Sequence, residues 1–183
     1  GFVKDLHGNK KMYYQVNTTY YNALGENEQA LLLARALQIF MPGKPQVWYL
    51  DLFAGSNDYE AVKRAGAGGH KEINRTNLSQ KDIASGLEKE VVKKQLEMLK
   101  FRKEFPAFGF DAEMTIRTKP AAQISAQAEN ALHFAELPAD QMYNRIYITW
   151  KKDGYLARLS ADLKAHTYRI QALDPSGNLV WQS

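Results

Sequence analysis

Apolar residues recur at helical spacing from Asn27 to Phe40, NEQALLLARALQIF. Leu33, Leu37 and Phe40 fall at i, i+4 and i+7, while Leu32, Ala36 and Ile39 fill a neighbouring face. The pattern predicts a helix buried on more than one side. A polar start at Gly25, Glu26 and Asn27 and a stop at Pro42-Gly43 bound it. From Gln46 to Phe53, QVWYLDLF, the apolar residues run almost without a break. A strand covered on both faces reads this way, as in a parallel sheet. Asp51 interrupts the run, and a buried carboxylate is costly unless paired, so it is expected at the strand's solvent-facing end, near partners. Glu88 to Phe105 is amphipathic, with Val92, Leu96 and Leu99 on one face and lysines and glutamates opposite, and Pro106 ends it.

Between these elements lies a Gly-rich stretch, residues 55–80, expected to be a long loop and, at that length, a functional one. Ser79 is expected to cap a short turn after it. Beyond Pro106 the pattern changes to short strands at 112–118, 145–151, 156–161, 167–173 and 179–181. Asp153-Gly154 and Asp174-Pro175-Ser176-Gly177 supply turn residues between them. Residues 107–183 therefore read as a small antiparallel β-domain. The stretch 119–142 fits neither pattern and reads as an inserted helix or a long loop.

The first region carries a physical difficulty. A single buried parallel strand flanked by two helices leaves both edges unpaired, and unpaired edges invite aggregation. A closed barrel removes them. Residues 1–106 therefore read as the last part of something larger.

Composition narrows the function classes. The chain has 183 residues, 45% hydrophobic and 24% charged, as in ordinary globular proteins. No stretch approaches the roughly 20 apolar residues that span a bilayer, so no membrane partner is expected. With no cysteine, disulfides, thiolate metal sites and cysteine nucleophiles are excluded, and a cytoplasmic setting is allowed. The N-terminus begins without Met and lacks the apolar core of a signal peptide, so it reads as a tag remnant or a piece of a longer chain. The net charge of +4 is mild, and between Lys81 and Glu104 seven basic residues interleave with five acidic ones. That is a solvated helix face rather than a nucleic-acid footprint. His7, His70, His133 and His166 show no ligand spacing, so no metal or other cofactor is expected. Gly66-Ala67-Gly68-Gly69 is not followed by GK[ST] or immediately preceded by a strand, which argues against nucleotide binding.

Several ordered motifs point to a family. Tyr14-Gln15-Val16-Asn17-Thr18-Thr19-Tyr20-Tyr21-Asn22-Ala23-Leu24 resembles the YQVNSTYYSAL segment of sucrose phosphorylases. Residues 33–40 with 42–49, then Ala54-Gly55-Ser56-Asn57-Asp58, Glu72-Ile73-Asn74-Arg75 and Leu99-Lys100-Phe101-Arg102, follow in the family's order and at similar spacing. The resemblance spans roughly 13–108, whereas 109–183 resembles the family's C-terminal β-domain only in pattern. Sucrose phosphorylases belong to glycoside hydrolase family 13, the α-amylase-like barrels. The resemblance implies an α/β fold: residues 1–106 as the C-terminal portion of a (β/α)8 TIM barrel (helix 7 at 27–40, strand 8 at 46–53, helix 8 at 88–105), and 107–183 as the β-domain. In such barrels the chemistry sits at the C-terminal ends of the strands and in the loops that follow.

The reaction implied is a retaining double displacement that moves a glucosyl group from sucrose or a related α-glucoside to inorganic phosphate. By resemblance the catalytic carboxylates all precede residue 1, so the fragment alone is expected to be inactive and to need the N-terminal barrel part of the same chain as its partner. A homodimer is allowed. Tyr14 and Gln15 are implied on the loop lining the acceptor and phosphate site, where a phenol and an amide suit hydroxyls or phosphate oxygens. Tyr20 and Tyr21 read better as packing residues.

Four departures qualify the match. Lys71 takes the place of a family Arg near the donor glucose, keeping charge but losing the planar fork. Arg75 reads equally as a partner for Glu72. Met12 stands where an acidic residue is usual, with Lys10 and Lys11 beside it, and Thr76-Asn77-Leu78 stand where aromatics are, changes that favour an anionic acceptor such as sucrose 6F-phosphate or glucosylglycerate. Asp51 stands where the family usually has Gly, which nothing in the sequence explains. Tyr14, Gln15, Asp51, His70 and Lys71 are thus the candidate substrate-binding residues. The competing readings are an α-amylase-family hydrolase using water, and a stand-alone carbohydrate-binding module with Trp150 and Trp181 stacking on sugar rings, although at strand spacing both are expected in the core.

Overall fold

The computed structural model describes residues 2–13, 15–118 and 144–183. Tyr14 and the stretch 119–142, expected to be an inserted helix or a long loop, lie outside the described residues. The chain divides into two compact units, residues 1–31 with 46–95 and residues 32–45 with 96–183.

In the first unit, β1 (Phe2–Lys4) and β2 (Lys10–Tyr13) pair antiparallel, a ribbon the sequence pattern does not announce. Its turn is held by Asp5, whose Oδ1 accepts from the backbone N–H of His7 and of Asn9, both at 2.9 Å. Three short helices follow within this unit: α1 (Tyr20–Ala23), α3 (Tyr49–Leu52) and α4 (Tyr59–Ala65), then a 3₁₀ turn at Gly69–Asn74 and α5 (Gln80–Leu87). The two long helices, α2 (Glu28–Phe40) and α6 (Glu90–Glu104), arise where the apolar spacing predicts them, and the division between units falls inside both.

Two expectations fail here. Residues 46–53 do not form a strand: 46–48 are extended and 49–52 are the helix α3. No strand among the described residues pairs with them, and backbone N–H and C=O groups must be paired somewhere. The segment pairs them locally instead, with Leu52 N on Trp48 O, Phe53 N on Tyr49 O and Gly55 N on Leu50 O. A continuous apolar run of this length does not distinguish a buried strand from a short buried helix. The stretch 55–80 is likewise not one open loop. Asp58 Oδ1 caps α4 by accepting from Ala61 N at 2.8 Å, Gly66 at φ +66° stops it, and Gly68 at φ +86° opens the 3₁₀ turn that follows. Ser79 caps α5 through a reciprocal pair: its Oγ accepts from Asp82 N at 3.1 Å, and Asp82 Oδ2 accepts from Ser79 N at 2.9 Å.

The second unit is built on a five-stranded antiparallel sheet, ordered β3 (Glu113–Arg117), β4 (Arg145–Lys152), β5 (Tyr155–Asp162), β6 (Thr167–Leu173) and β7 (Leu179–Gln182). All five strands fall where the alternation predicts them. The Asp153-Gly154 turn has φ of +48° and +82°, the geometry whose twist matches a two-residue hairpin. One face carries Ile148, Trp150, Ala157, Leu159, Ile170 and Ala172, all buried. Against it stand aromatics from the ends of α2 and α6: Phe101 stacks on Trp181 at 4.2 Å, Phe108 meets Trp150 edge-on at 5.8 Å, and Trp150 Nε1 donates to Phe40 O at 2.8 Å. Arg102 lies over the Phe108 and Trp150 rings, its charge facing the aromatic quadrupoles. Trp150, only 4% exposed, and Trp181 are thus packing residues, which removes the feature that suggested a free-standing sugar-binding sheet.

Candidate functional site

The three motifs from the first half of the chain meet in one hydrogen-bonded knot. Asn57, from the Ala54–Asp58 motif, accepts the buried Thr19 N–H on Oδ1 at 2.7 Å, donates its own N–H to Asn22 Oδ1, and turns Nδ2 to Thr18 Oγ1 at 3.2 Å. Asn74, from the Ile73–Arg75 motif, donates Nδ2 to Thr18 O at 3.2 Å, and Asp58 N donates to Ile73 O at 2.8 Å. Trp48 Nε1 reaches Asn74 O at 2.9 Å and Tyr49 OH reaches Thr76 O at 2.8 Å. Short amides suit this work because one side chain both accepts and donates, closing two backbone segments at once.

The fold supports the knot locally. Gly55 is needed for space: a Cβ there would lie 2.4 Å from Leu50 Cδ1. Ala54 sits at φ +51°, a left-handed conformation that costs a non-glycine residue energy. Below it, the buried Gln95 donates Nε2 to Leu52 O at 2.8 Å, satisfying a terminal carbonyl of α3.

The expected site residues take distinct places around this knot. Asp51 has the partner its charge requires: Oδ1 accepts the Tyr20 N–H, the first of α1, at 2.7 Å, while Thr19 Oγ1 caps the same turn by accepting from Asn22 N. It is half-buried on α3, not at a strand end. His70 and Lys71 lie side by side in the 3₁₀ turn. Lys71 is exposed, whereas His70 is half-buried with Nε2 shielded and without a hydrogen-bond partner among the described residues. Gln15 is exposed on the segment leading into Thr18. Tyr14 lies outside the described residues. Through Thr18, Tyr20 and Asn74 the knot ties together the three segments that carry Gln15, Asp51 and the His70–Lys71 pair.

Other residues sort themselves plainly. Glu72 and Arg75 form an ion pair at 3.4 Å with both side chains about half exposed, a contact of little energetic weight. Tyr21 is half-buried, and burial first, then the charges of Glu28 and Glu26, push its phenol above the usual range. Lys10 places Nζ 4.8 Å from the centre of the Phe2 ring, and Lys11 and Met12 are exposed on β2. The linking roles of Asn22, Asn57, Asp58 and Asn74 are not legible in the sequence. The only signal was their recurrence as short polar residues inside otherwise apolar motifs. Among the described residues no group of three or more His, Asp or Glu side chains is placed to hold a metal ion, and no helix is long and apolar enough to cross a membrane.

No protein-family model matches the chain. Individual proteins do. It is 48% identical over 165 residues to a sucrose 6(F)-phosphate phosphorylase of Ilumatobacter coccineus, a match covering 88% of this chain and 31% of that protein. It is 38% identical over 167 residues to a sucrose 6(F)-phosphate phosphorylase of Thermoanaerobacterium thermosaccharolyticum, covering 91% and 29%. A sucrose phosphorylase of Streptococcus mutans is 33% identical over 162 residues, covering 88% and 29%. The crystal structure of sucrose 6F-phosphate phosphorylase from Thermoanaerobacter thermosaccharolyticum matches 98% of this chain and 31% of its own, with a TM-score of 0.73 at 36% identity. The chain spans about three tenths of the length of the curated relatives it matches. By fold and by sequence, it is a homologue of the C-terminal part of the sucrose 6(F)-phosphate and sucrose phosphorylases.

Proposed function

We propose that the chain forms the C-terminal part of a glucoside phosphorylase. The whole enzyme moves a glucosyl group reversibly from sucrose or a related α-glucoside to inorganic phosphate. The observation that carries this reading is 48% identity over 88% of the chain to a protein of that activity by name. In the retaining route, a carboxylate attacks the anomeric carbon as the bond to the leaving sugar breaks. A carboxylic acid gives its proton to the departing oxygen, and phosphate then displaces the enzyme carboxylate. These carboxylates belong to the N-terminal barrel part of the same protein. Residues 1–106 form the closing portion of that (β/α)8 barrel, with α2 and α6 as outer helices, and the protein works in the cytoplasm.

The contribution of this chain is recognition. The Gln15 amide, with Tyr14 beside it, donates to and accepts from sugar hydroxyls or phosphate oxygens. Lys71 supplies a positive point near the donor glucose, and His70 and Asp51 border the same surface. The knot through Asn57 and Asn74 supports this assignment, because it holds these segments in fixed register. A second reading, an anionic acceptor such as sucrose 6F-phosphate, is favoured by the names of the relatives at 48% and 38% identity and by exposed Lys11 on β2.

Phosphorolysis by the full-length protein tests both, with sucrose, sucrose 6F-phosphate and glucosylglycerate compared side by side, with and without phosphate. Turnover that ignores phosphate makes the enzyme a hydrolase. In the same protein Gln15→Ala and Lys71→Ala should each raise KM about tenfold or more, equivalent to about 1.4 kcal/mol, with the melting temperature almost unmoved. Wild-type kinetics in both variants would remove these residues from the site. A full-length structure that keeps 49–52 helical with no barrel strand beside it would remove the barrel assignment.

A further inference from the structure

The face of the five-stranded sheet opposite the aromatic core is polar, and its charges are not balanced in pairs. Register places Arg117 opposite Tyr147, Thr149 opposite Arg158, and Gln171 across from Arg158 on the other side, so all five share this face. The same face carries Arg145, Asp162, Arg169, Gln182, Glu113 and Lys151. Asp162 is committed to Arg145 at 3.1 Å, and Arg169 donates Nη2 to Gln182 Oε1 at 3.2 Å. Glu113 stands exposed at the far end of β3, opposite Lys151. No carboxylate among the described residues is left for Arg158 or Arg117.

Arg158 is the unusual member. Only 6% of the residue remains accessible. Nε donates to Thr149 Oγ1 at 3.3 Å, and the buried Nη1 has no hydrogen-bond partner among the described residues. A guanidinium cannot shed its charge by deprotonating near neutral pH, so its burial calls for a counter-charge. Burial first, and the nearby positive charge of Arg117 second, push its proton affinity below the ordinary range.

We propose that Arg158, Arg117 and Thr149 form a binding site for a phosphate-type oxyanion on this sheet face. The planar fork of Arg158 offers two parallel N–H donors to two phosphate oxygens, Arg117 reaches in from β3 as the second cation, and the Thr149 hydroxyl orients the fork. The site lies in the β-domain and uses none of the residues assigned to recognition above.

Equilibrium dialysis of labelled inorganic phosphate against the full-length protein tests it. Wild type should bind one equivalent per chain more than Arg158→Met, and Arg117→Ala should weaken that equivalent tenfold or more while phosphorolysis rates stay as in wild type. Arg117 is exposed and makes no hydrogen bond or ion pair among the described residues, so its variant serves even where Arg158→Met fails to fold. Displacement of the extra equivalent by glucose 1-phosphate supports the site with a phosphate ester as occupant. Displacement by unlabelled inorganic phosphate alone supports it with the free ion. Equal stoichiometry and affinity in wild type and both variants overturns the proposal.

Discussion

Asn57 concentrates more structural responsibility than any other side chain of the first unit. Its side-chain amide accepts the Thr19 N–H and donates to Thr18 Oγ1, while its backbone N–H separately donates to Asn22 Oδ1. Asn57→Ala leaves a buried backbone donor without its acceptor, and a stranded donor costs its full desolvation. We expect a loss of about 1–3 kcal/mol, read as a lower denaturation midpoint with an unchanged denaturant slope. Asp51 illustrates what a sequence does and does not disclose about a residue. The cost of burying a carboxylate required partners, and the Tyr20 N–H is one. The identity of that partner, 31 residues away, could not be read from spacing, because it depends on how two loops cross.

At the scale of elements, the sheet was legible because alternation and turn chemistry agree. The left-handed Asp153-Gly154 pair and the in-and-out period of β4 and β5 specify the same hairpin twice over. The helices α2 and α6 were legible for a similar reason, as long periodic runs with defined stops. Residues 46–53 were not, because an apolar run that short carries no period, and its pairing depends on neighbours rather than on itself. The ribbon of β1 and β2 was silent for want of apolar alternation. The capping box of α5 gives this scale its own test. Hydrogen bonds from the Ser79 hydroxyl and then its backbone N–H hold the Asp82 carboxyl below its usual range. A lowered value means that the stabilisation is complete above the ordinary carboxylate pKa, near 3.9, and fades as pH falls through the folded value. Amide exchange in α5 should therefore be slower in wild type than in Asp82→Ala at neutral pH, and the two should converge in acid. A difference that persists undiminished in acid would place the effect elsewhere.

For the molecule as a whole, the two units draw their stability from different chemistry. The first is held by side chains bonding to backbone across loops, the second by aromatic packing against one sheet face. Trp150→Ala should cost about 3–5 kcal/mol, the usual range for a buried indole, with the loss appearing in amide exchange of the second unit. A loss under 1 kcal/mol would deny Trp150 that central place. The distribution of indoles makes these units separately visible. Trp48 is the single indole of the first unit and is 47% exposed, while Trp150 and Trp181 both belong to the second. An aqueous quencher such as acrylamide should reach Trp48 readily and Trp150 hardly at all. The red, quenchable part of the emission then reports the recognition loops, and the blue, protected part reports the β-domain, without any added label.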